Sequence, residues 1–263
     1  MRIAIAGGTG RIGRLISAAL ERAGHQAVPL SRRAGADVYT GAGLADALDG
    51  CDAVIDVINN GSQDTAEITD FFGTTTRNLL AAEERAGVRH HVLLSIVNVE
   101  HNRRVPHYAG KREQERLVTG GPVPWSIVRA TQFHDFAAMV ASWTLRDGTA
   151  TIAPLLVQPI AQEDVAAALA EVATAPPLGG LLDIAGPETQ DLVDMARRTF
   201  AVRGQDIRLV PTWRGAFGTD MAGEALLPGE NAWLGATTFD AWLAAGAPDG
   251  RVQGPAGVTR PVS

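Results

Sequence analysis

Residues 3–13 read Ile3-Ala4-Ile5-Ala6-Gly7-Gly8-Thr9-Gly10-Arg11-Ile12-Gly13. A short apolar run of the buried parallel-strand type leads straight into glycines spaced Gly7-x-x-Gly10-x-x-Gly13. Beyond them Ile12, Leu15, Ile16, Ala19 and Leu20 recur at helical spacing, and Gly24 supplies a stop. Strand, glycine turn and helix in that order predict the first βα unit of a nucleotide-binding sheet. Glycine lets the turn close and lets backbone N–H groups approach a pyrophosphate, while the helix N-terminus adds a partial positive charge. Gly7, Gly8, Thr9, Gly10, Arg11, Ile12 and Gly13 are therefore candidate cofactor-binding residues, with Arg11 placed to add to a phosphate clamp.

The same rhythm continues outward. Strands are expected at Ala27–Leu30, Ala53–Ile58, Val92–Val97 and Trp125–Val128, and helices at Leu44–Leu48, Ile68–Ala86 and His107–Val118. This alternation predicts an α/β fold: a Rossmann-type, doubly wound parallel sheet. After about residue 150 the pattern loosens, with an Ala-rich helix at Asp164–Ala173, a strand at Gly180–Ile184 and a helix at Asp191–Phe200. The expected layout is a dinucleotide-binding core over residues 1–154 and a smaller C-terminal substrate lobe over 155–245. The lobe partly completes the core and caps a cleft, and a Gly/Pro-rich mobile tail over 246–263 follows it.

Composition narrows the function classes. The chain has 263 residues, 46% of them hydrophobic and 20% charged, enough for a large core and too apolar for wholesale disorder. A net charge of −6 argues against a nucleic-acid partner bound by bulk electrostatics. The single cysteine, Cys51, excludes a disulfide framework and a cysteine-cluster metal site, and no base accompanies it to make a nucleophile. No apolar run approaches membrane-span length, so no membrane partner is expected. The chain opens directly into its first strand with no signal peptide before it, which predicts a cytoplasmic location.

Ser31-Arg32-Arg33 follows the second strand. NAD sites place a carboxylate about 20 residues after the glycines to hold the ribose 2′-hydroxyl. No carboxylate occupies 31–33, and the nearest is Asp37. Two arginines suit a 2′-phosphate, which favours NADP(H) over NAD(H). Asn59 and Asn60, just beyond a strand end, are placed to meet the cofactor ribose or to stiffen their turn. The chain's one lysine, Lys111, follows one of its two tyrosines, Tyr108, by three residues on a predicted helix. That spacing leaves both on one face. The lysine and the helix start are expected to lower the phenol pKa, making Tyr108 an acid for a carbonyl oxygen as hydride arrives, with Lys111 on the nicotinamide ribose and Ser95 orienting the substrate oxygen.

These residues carry a family resemblance. The chain resembles the short-chain dehydrogenase/reductase superfamily, in its atypical branch of NmrA-like proteins and NAD(P)H-binding reductases. The resembling pieces are the glycine loop Gly7–Gly13, Asn78-Leu79-Leu80-Ala81-Ala82 through Ala86-Gly87-Val88, and His91-Val92-Leu93-Leu94-Ser95. They continue with Tyr108-Ala109-Gly110-Lys111, Trp125–Phe133 and Ala185-Gly186-Pro187-Glu188, in matching order over most of residues 1–190. The resemblance implies NAD(P) binding and an oxidoreductase-type fold with a variable C-terminal lobe. It also places Ala130–Phe133, hence Thr131 and Phe133, at the nicotinamide. The usual Tyr-x-x-x-Lys spacing is not kept: His107 stands four before Lys111 and Tyr108 only three. Either Tyr108 shifts into the acid role, or His107 takes it, or no proton donor works. The expected activity is NADP(H)-dependent hydride transfer to or from a small carbonyl, enone or quinone. The alternative is a non-catalytic, redox-sensing regulator of the NmrA-like type acting through a protein partner, and a third reading is an epimerase or lyase that cycles its bound cofactor. A homodimer is compatible with each.

Weaker signals remain. The adjacent His90 and His91 begin a strand and so point to opposite faces, which argues against a metal site. His101–Arg104 forms a polar loop before the Tyr108 helix, either bordering substrate or solvated. His134 and Asp135 are placed at core or rim. Phe133, Phe136, Met139 and Trp143 recur at helical spacing as packing residues or as the wall of an apolar pocket.

Overall fold

The computed structural model describes residues 1–101, 105–214 and 217–248. The chain begins with β1 (Arg2–Ala6), α1 (Arg11–Arg22), β2 (Gln26–Leu30), α2 (Leu44–Leu48), β3 (Ala53–Asp56), α3 (Thr65–Ala86) and β4 (His91–Ile96). It continues with α4 (Pro106–Thr119), β5 (Trp125–Ala130), α5 (Phe136–Thr144), β6 (Thr149–Ile152), β7 (Leu156–Val157) and α6 (Gln162–Thr174). Last come β8 (Leu181–Ala185), β9 (Gln190–Asp191), α7 (Leu192–Val202), β10 (Arg208–Pro211), β11 (Trp233–Leu234) and α8 (Phe239–Ala244).

Seven strands form one parallel sheet in the order β11-β8-β5-β4-β3-β1-β2. The chain thus folds as a doubly wound, Rossmann-like α/β protein. Alternation along β1 explains its two layers. Ile3 and Ile5 join Ile16 and Leu20 of α1 and Val165 and Leu169 of α6 in one core. Ala4 and Ala6 face the other way, into a core with Ile68, Phe72 and Leu79 of α3 and Leu44 and Leu48 of α2. The sheet order reverses at β1, which carries β2 on one side and β3 on the other, and the crevice for a ligand opens beyond the carboxyl ends of such strands. β2 is an edge strand, and it contains Pro29.

Element boundaries shift modestly from the sequence pattern, for local reasons. α3 starts at Thr65 because Asp64 caps it, its side chain accepting from Glu67 N at 2.8 Å. β3 stops at Asp56, whose Oδ1 turns back to accept from Ile58 N at 2.9 Å. β5 runs on to Ala130 because β4 and β8 flank it to that residue.

A separate core fills the lobe. α5, β6, α7 and α8 surround Ala141, Ile152, Met195, Phe200, Phe217, Phe239 and Trp242. Its residues come from both sides of position 154, while β8, β11 and α6 of the later half belong to the main sheet and its layer. The tail beyond Pro248 and residues 102–104 of the polar loop lie outside the described residues. Among the described residues no helix is long and apolar enough to cross a membrane.

Gly110 sets how closely α4 and α3 pack: a Cβ there would stand 2.2 Å from Phe72 Cδ2. Gly110→Ala is expected to lose about 1–2 kcal/mol net, the overpacking cost exceeding the gain in helix propensity. Urea unfolding checks this, and Gly110→Ala combined with Phe72→Leu should cost less than the sum of the two single changes.

Candidate functional site

The glycine loop is built by crowding. Gly7 has φ +83°, and a Cβ on it would meet Val57 O at 2.9 Å. A Cβ on Gly8 would stand 2.7 Å from Pro29 Cα, and one on Gly13 2.4 Å from Gly7 O and 2.5 Å from Gly8 Cα. The loop is therefore pressed against β2 and against the exit of β3 while α1 packs onto its back. Turn bonds from Gly8 N to Ile5 O (3.0 Å) and Gly10 N to Gly7 O (2.9 Å) hold its shape. α1 then begins with no side-chain cap and no acidic residue in its first turn. The N–H groups at the start of a helix have no partner within the helix. A loop without Cβ atoms leading into an uncapped, acid-free helix start fits the pyrophosphate of a dinucleotide.

The flanking residues take distinct places. Ser31 Oγ accepts from Ala34 N at 3.2 Å and so caps the turn that displays Arg32 and Arg33, both exposed. Asp37 is engaged by its own loop, Oδ1 accepting from Tyr39 N (2.9 Å) and Thr40 N (3.3 Å). Asn59 is exposed, whereas Asn60 Oδ1 accepts from Ser62 N at 2.8 Å and stiffens the turn. Thr131 Oγ1 donates to Gln158 O at 2.6 Å, and Phe133 bridges to Ile160, so the stretch after β5 is tied to the segment entering α6. Arg11 Nη1 reaches Asp135 Oδ2 at 3.4 Å, and Gln162 Nε2 meets the same oxygen at 3.3 Å. Ser95, Gln132 and His134 are buried; among the described residues Ser95 Oγ, both amide atoms of Gln132 and His134 Nδ1 have no hydrogen-bond partner.

The tyrosine–lysine pair differs from expectation. Lys111 is buried, donates from Nζ to Leu94 O at 2.9 Å and lies 5.0 Å over the Phe72 ring. The residue sharing Phe72 with it is His107, ring to ring at 5.6 Å, as i,i+4 spacing allows. Burial pulls the Lys111 pKa down to about 8, against the pull of the Asp56 and Glu115 carboxylates. Burial and the Lys111 charge drop His107 to about 3, so it is neutral. The expected lowering of the Tyr108 pKa is corrected: burial raises it, because a phenolate withdrawn from water is disfavoured.

Sequence reasoning missed the polar layer beneath the sheet. Asp56 Oδ2 accepts from Gln114 Nε2 at 2.9 Å, and the same nitrogen lies 3.3 Å from Thr76 Oγ1. Asp56 is the only charged residue in the run Ala53–Ile58, and that is the signal that would have found it. The two histidines do diverge: His90 Nε2 pairs with Ser126 Oγ at 2.8 Å and His91 Nδ1 with Glu83 Oε1 at 2.9 Å. Burial opposes a charge on His91, but the Glu83 carboxylate prevails and its pKa is raised. No cluster of three or more metal-ligating residues occurs among the described residues.

A profile of the family described as NAD(P)H-binding matches residues 7–176. The chain belongs to the NAD(P)H-binding family. Solved structures share the fold of this family member. A short-chain dehydrogenase/reductase superfamily protein from Agrobacterium tumefaciens with bound NAD is 21% identical, with TM-score 0.68 over 94% of this chain and 96% of that one. A new type of NADPH-dependent quinone oxidoreductase from Escherichia coli is 16% identical, with TM-score 0.67 over 92% and 98%. A nucleoside-diphosphate-sugar epimerase from Staphylococcus aureus is 16% identical, with TM-score 0.66 over 92% and 99%. No curated protein matches. The family member is thus an NAD(P)-binding protein of oxidoreductase or epimerase-like fold.

The depressed lysine has a consequence for stability. A lysine whose pKa is about 8 when folded and near 10.4 when unfolded disfavours the folded state while it is charged. The cost is fully present below pH 8 and is relieved as pH rises from 8 towards 10. Wild-type protein is expected to gain stability over that window, by up to about 3 kcal/mol, and Lys111→Met to lack the gain. Urea midpoints at pH 7.5, 8.5 and 9.5 check it.

Proposed function

We propose that the protein is an NADP(H)-dependent oxidoreductase that transfers hydride to or from a small carbonyl, enone or quinone. The observation that carries the cofactor choice is at the end of β2. Arg32 and Arg33 are exposed on a capped turn, while the nearest carboxylate, Asp37, is occupied by its own loop. Two free guanidinium groups suit a 2′-phosphate and leave a bare ribose without a carboxylate. The glycine loop holds the pyrophosphate, and Ser31 sets the arginine turn. Asn59, Lys111, Thr131 and Phe133 line the half of the crevice beyond β3, β4 and β5.

When bound, the dinucleotide supplies or accepts the hydride. The chain's own residues manage the proton and the orientation. The neutral Tyr108 phenol keeps its proton at physiological pH and donates it to the oxygen that gains charge, as a general acid must. Ser95 Oγ, buried and unpartnered, orients that oxygen. A quinone makes the least demand on such an acid, because hydride addition gives a hydroquinone monoanion, a delocalised phenolate that needs only one proton afterwards. The Escherichia coli quinone oxidoreductase of the same fold supports that substrate class. In this reading the enzyme draws on the cytoplasmic pyridine-nucleotide pool and needs no macromolecular partner for the chemistry. A dinucleotide-binding regulator that does not turn its ligand over is favoured by one observation, the anchoring of Lys111 to Leu94 O.

Calorimetric titration with NADPH and NADH tests the cofactor. NADPH is expected to bind tighter, and Arg32→Ala with Arg33→Ala to weaken NADPH by roughly 10–100-fold while leaving NADH unchanged, as loss of charge-assisted bonds implies. Equal affinity for both dinucleotides in the wild type would refute the NADP(H) preference. Oxidation of NADPH followed by absorbance against quinones and ketones tests the reaction. Tyr108→Phe is expected to abolish turnover with NADPH affinity nearly intact; tight NADPH binding with no turnover on any acceptor selects the regulator.

A further inference from the structure

α5 is apolar on every side. Its sequence, Phe136-Ala137-Ala138-Met139-Val140-Ala141-Ser142-Trp143-Thr144, holds no charged residue. A helix of that kind is normally covered all round. One side is covered, with Ala137, Ala138 and Ala141 in the lobe core. The opposite side carries Phe136, Met139 and Trp143, which helical spacing aligns in one stripe. There the cover is incomplete: Phe136 and Met139 are part-buried, and Trp143 is 48% exposed. Phe217 joins the stripe from another part of the chain. Its ring meets Phe136 edge-on at 5.6 Å and lies along Trp143 at 6.1 Å, with 23° between the planes. Phe217 itself is buried, so it steadies the indole while half of the indole stays open.

The stripe starts at the crevice. Phe136 N donates to Phe133 O at 2.9 Å, and Asp135, the residue before it, reaches Arg11 of the glycine loop. Phe217 begins a segment that runs on to Ala225 and Leu227, whose carbonyls accept from Asn98 Nδ2 at 3.3 and 2.9 Å. Asn98 follows β4, three residues after Ser95. A segment anchored on α5 at one end and on Asn98 at the other spans the exits of β5 and β4. Val105, the N-cap of α4 and three residues before Tyr108, packs against the same lobe core. In the hydride-transfer reading the acceptor lies beyond those two strand exits, between the start of α4 and the start of α5.

We propose that Phe136, Trp143 and Phe217 form a platform on which the acceptor's ring system stacks, and that they select fused-ring quinones over single-ring quinones. This rests on the hydride-transfer reading given above and names its substrate more closely. Aromatic rings attract one another in offset-stacked and edge-to-face arrangements beyond the area they bury. A half-open indole offers its face to a flat acceptor, and an aliphatic ketone has no ring to place on it. Two fused rings cover more of an indole than one ring does, and so remove more apolar surface from water. The chemistry is the same for either quinone: it takes hydride from NADPH and one proton, and hydroquinone and NADP⁺ are released. Trp143 and Phe217 are specificity residues and take no part in the proton transfer.

NADPH oxidation by the full chain tests this, with menadione as the fused-ring probe and duroquinone as the single-ring one. The wild type is expected to show a KM for menadione about tenfold below that for duroquinone, the scale of one good aromatic contact. Trp143→Ala is expected to bring the two KM values together, the change falling on KM rather than kcat and NADPH affinity staying as it was. Trp143→Phe, which keeps a ring to stack, restores most of the difference. A second readout needs no turnover: menadione added to protein saturated with NADP⁺ is expected to quench tryptophan emission, and Trp143→Phe to lose most of that quench. Equal KM values in the wild type, or a parallel loss of activity towards both quinones in Trp143→Ala, overturns the platform and leaves hydride transfer standing. So does a Trp143→Ala protein that changes its sedimentation with the KM difference intact, which assigns the stripe to a contact with a second copy of the chain. NADPH oxidation with ketones or enones alone overturns only the platform, and no oxidation with any of these acceptors overturns both.

Discussion

The tightest constraint in the molecule is the meeting of three backbone segments at Gly7, Gly8 and Gly13. The loop leaving β1 is closed in by β2, by the exit of β3 and by the first turn of α1, with no room for a Cβ at any of the three. This contact fixes the distance between α1 and the sheet. It also brings the start of α1 over the point where the sheet order reverses. One packing requirement thus sets both the core and the anion-facing end of the crevice, and so these glycines cannot be exchanged for small residues of another kind.

Most of the fold was legible because the two periodicities that report it are undisturbed in the first half. Apolar runs at Ala53–Ile55 and Val92–Leu93 are buried on both faces, and the stripe from Ile12 to Leu20 faces a single core. The lobe was less legible. Its core gathers single residues from far apart, such as Met221, Leu226 and Trp242, which carry no local period. The joining of β8 to β5 and of β11 to β8 depends on register, a long-range choice that strands of five and two residues do not reveal.

The site divides in the same way. The glycine loop and the arginine turn are contiguous in sequence and were readable. The environment of Tyr108 and Lys111 was not, since helical spacing gives relative direction on α4 but not what α4 faces. Phe72 of α3 decides that. It is accommodated by Gly110 and placed between the Lys111 ammonium and His107. The titration of a side chain follows from such neighbours, and these arrive from another helix. Asp135 gives the same lesson, because its partners on α1 and α6 are 124 and 27 residues away in the chain.

Pro29 has a second consequence beyond its contact with Gly8. β2 closes the sheet on one side, and a parallel edge strand normally presents a row of free N–H groups to whatever strand drifts past. Proline interrupts that row, and it is tolerated in a sheet where its nitrogen faces outward. The exposed arginines immediately after β2 add like charge to the same margin. The border of the sheet beside the crevice is thereby protected against edge-to-edge self-association. It can stay uncovered, as an opening for a long ligand requires, without inviting a stray strand from another molecule to pair there.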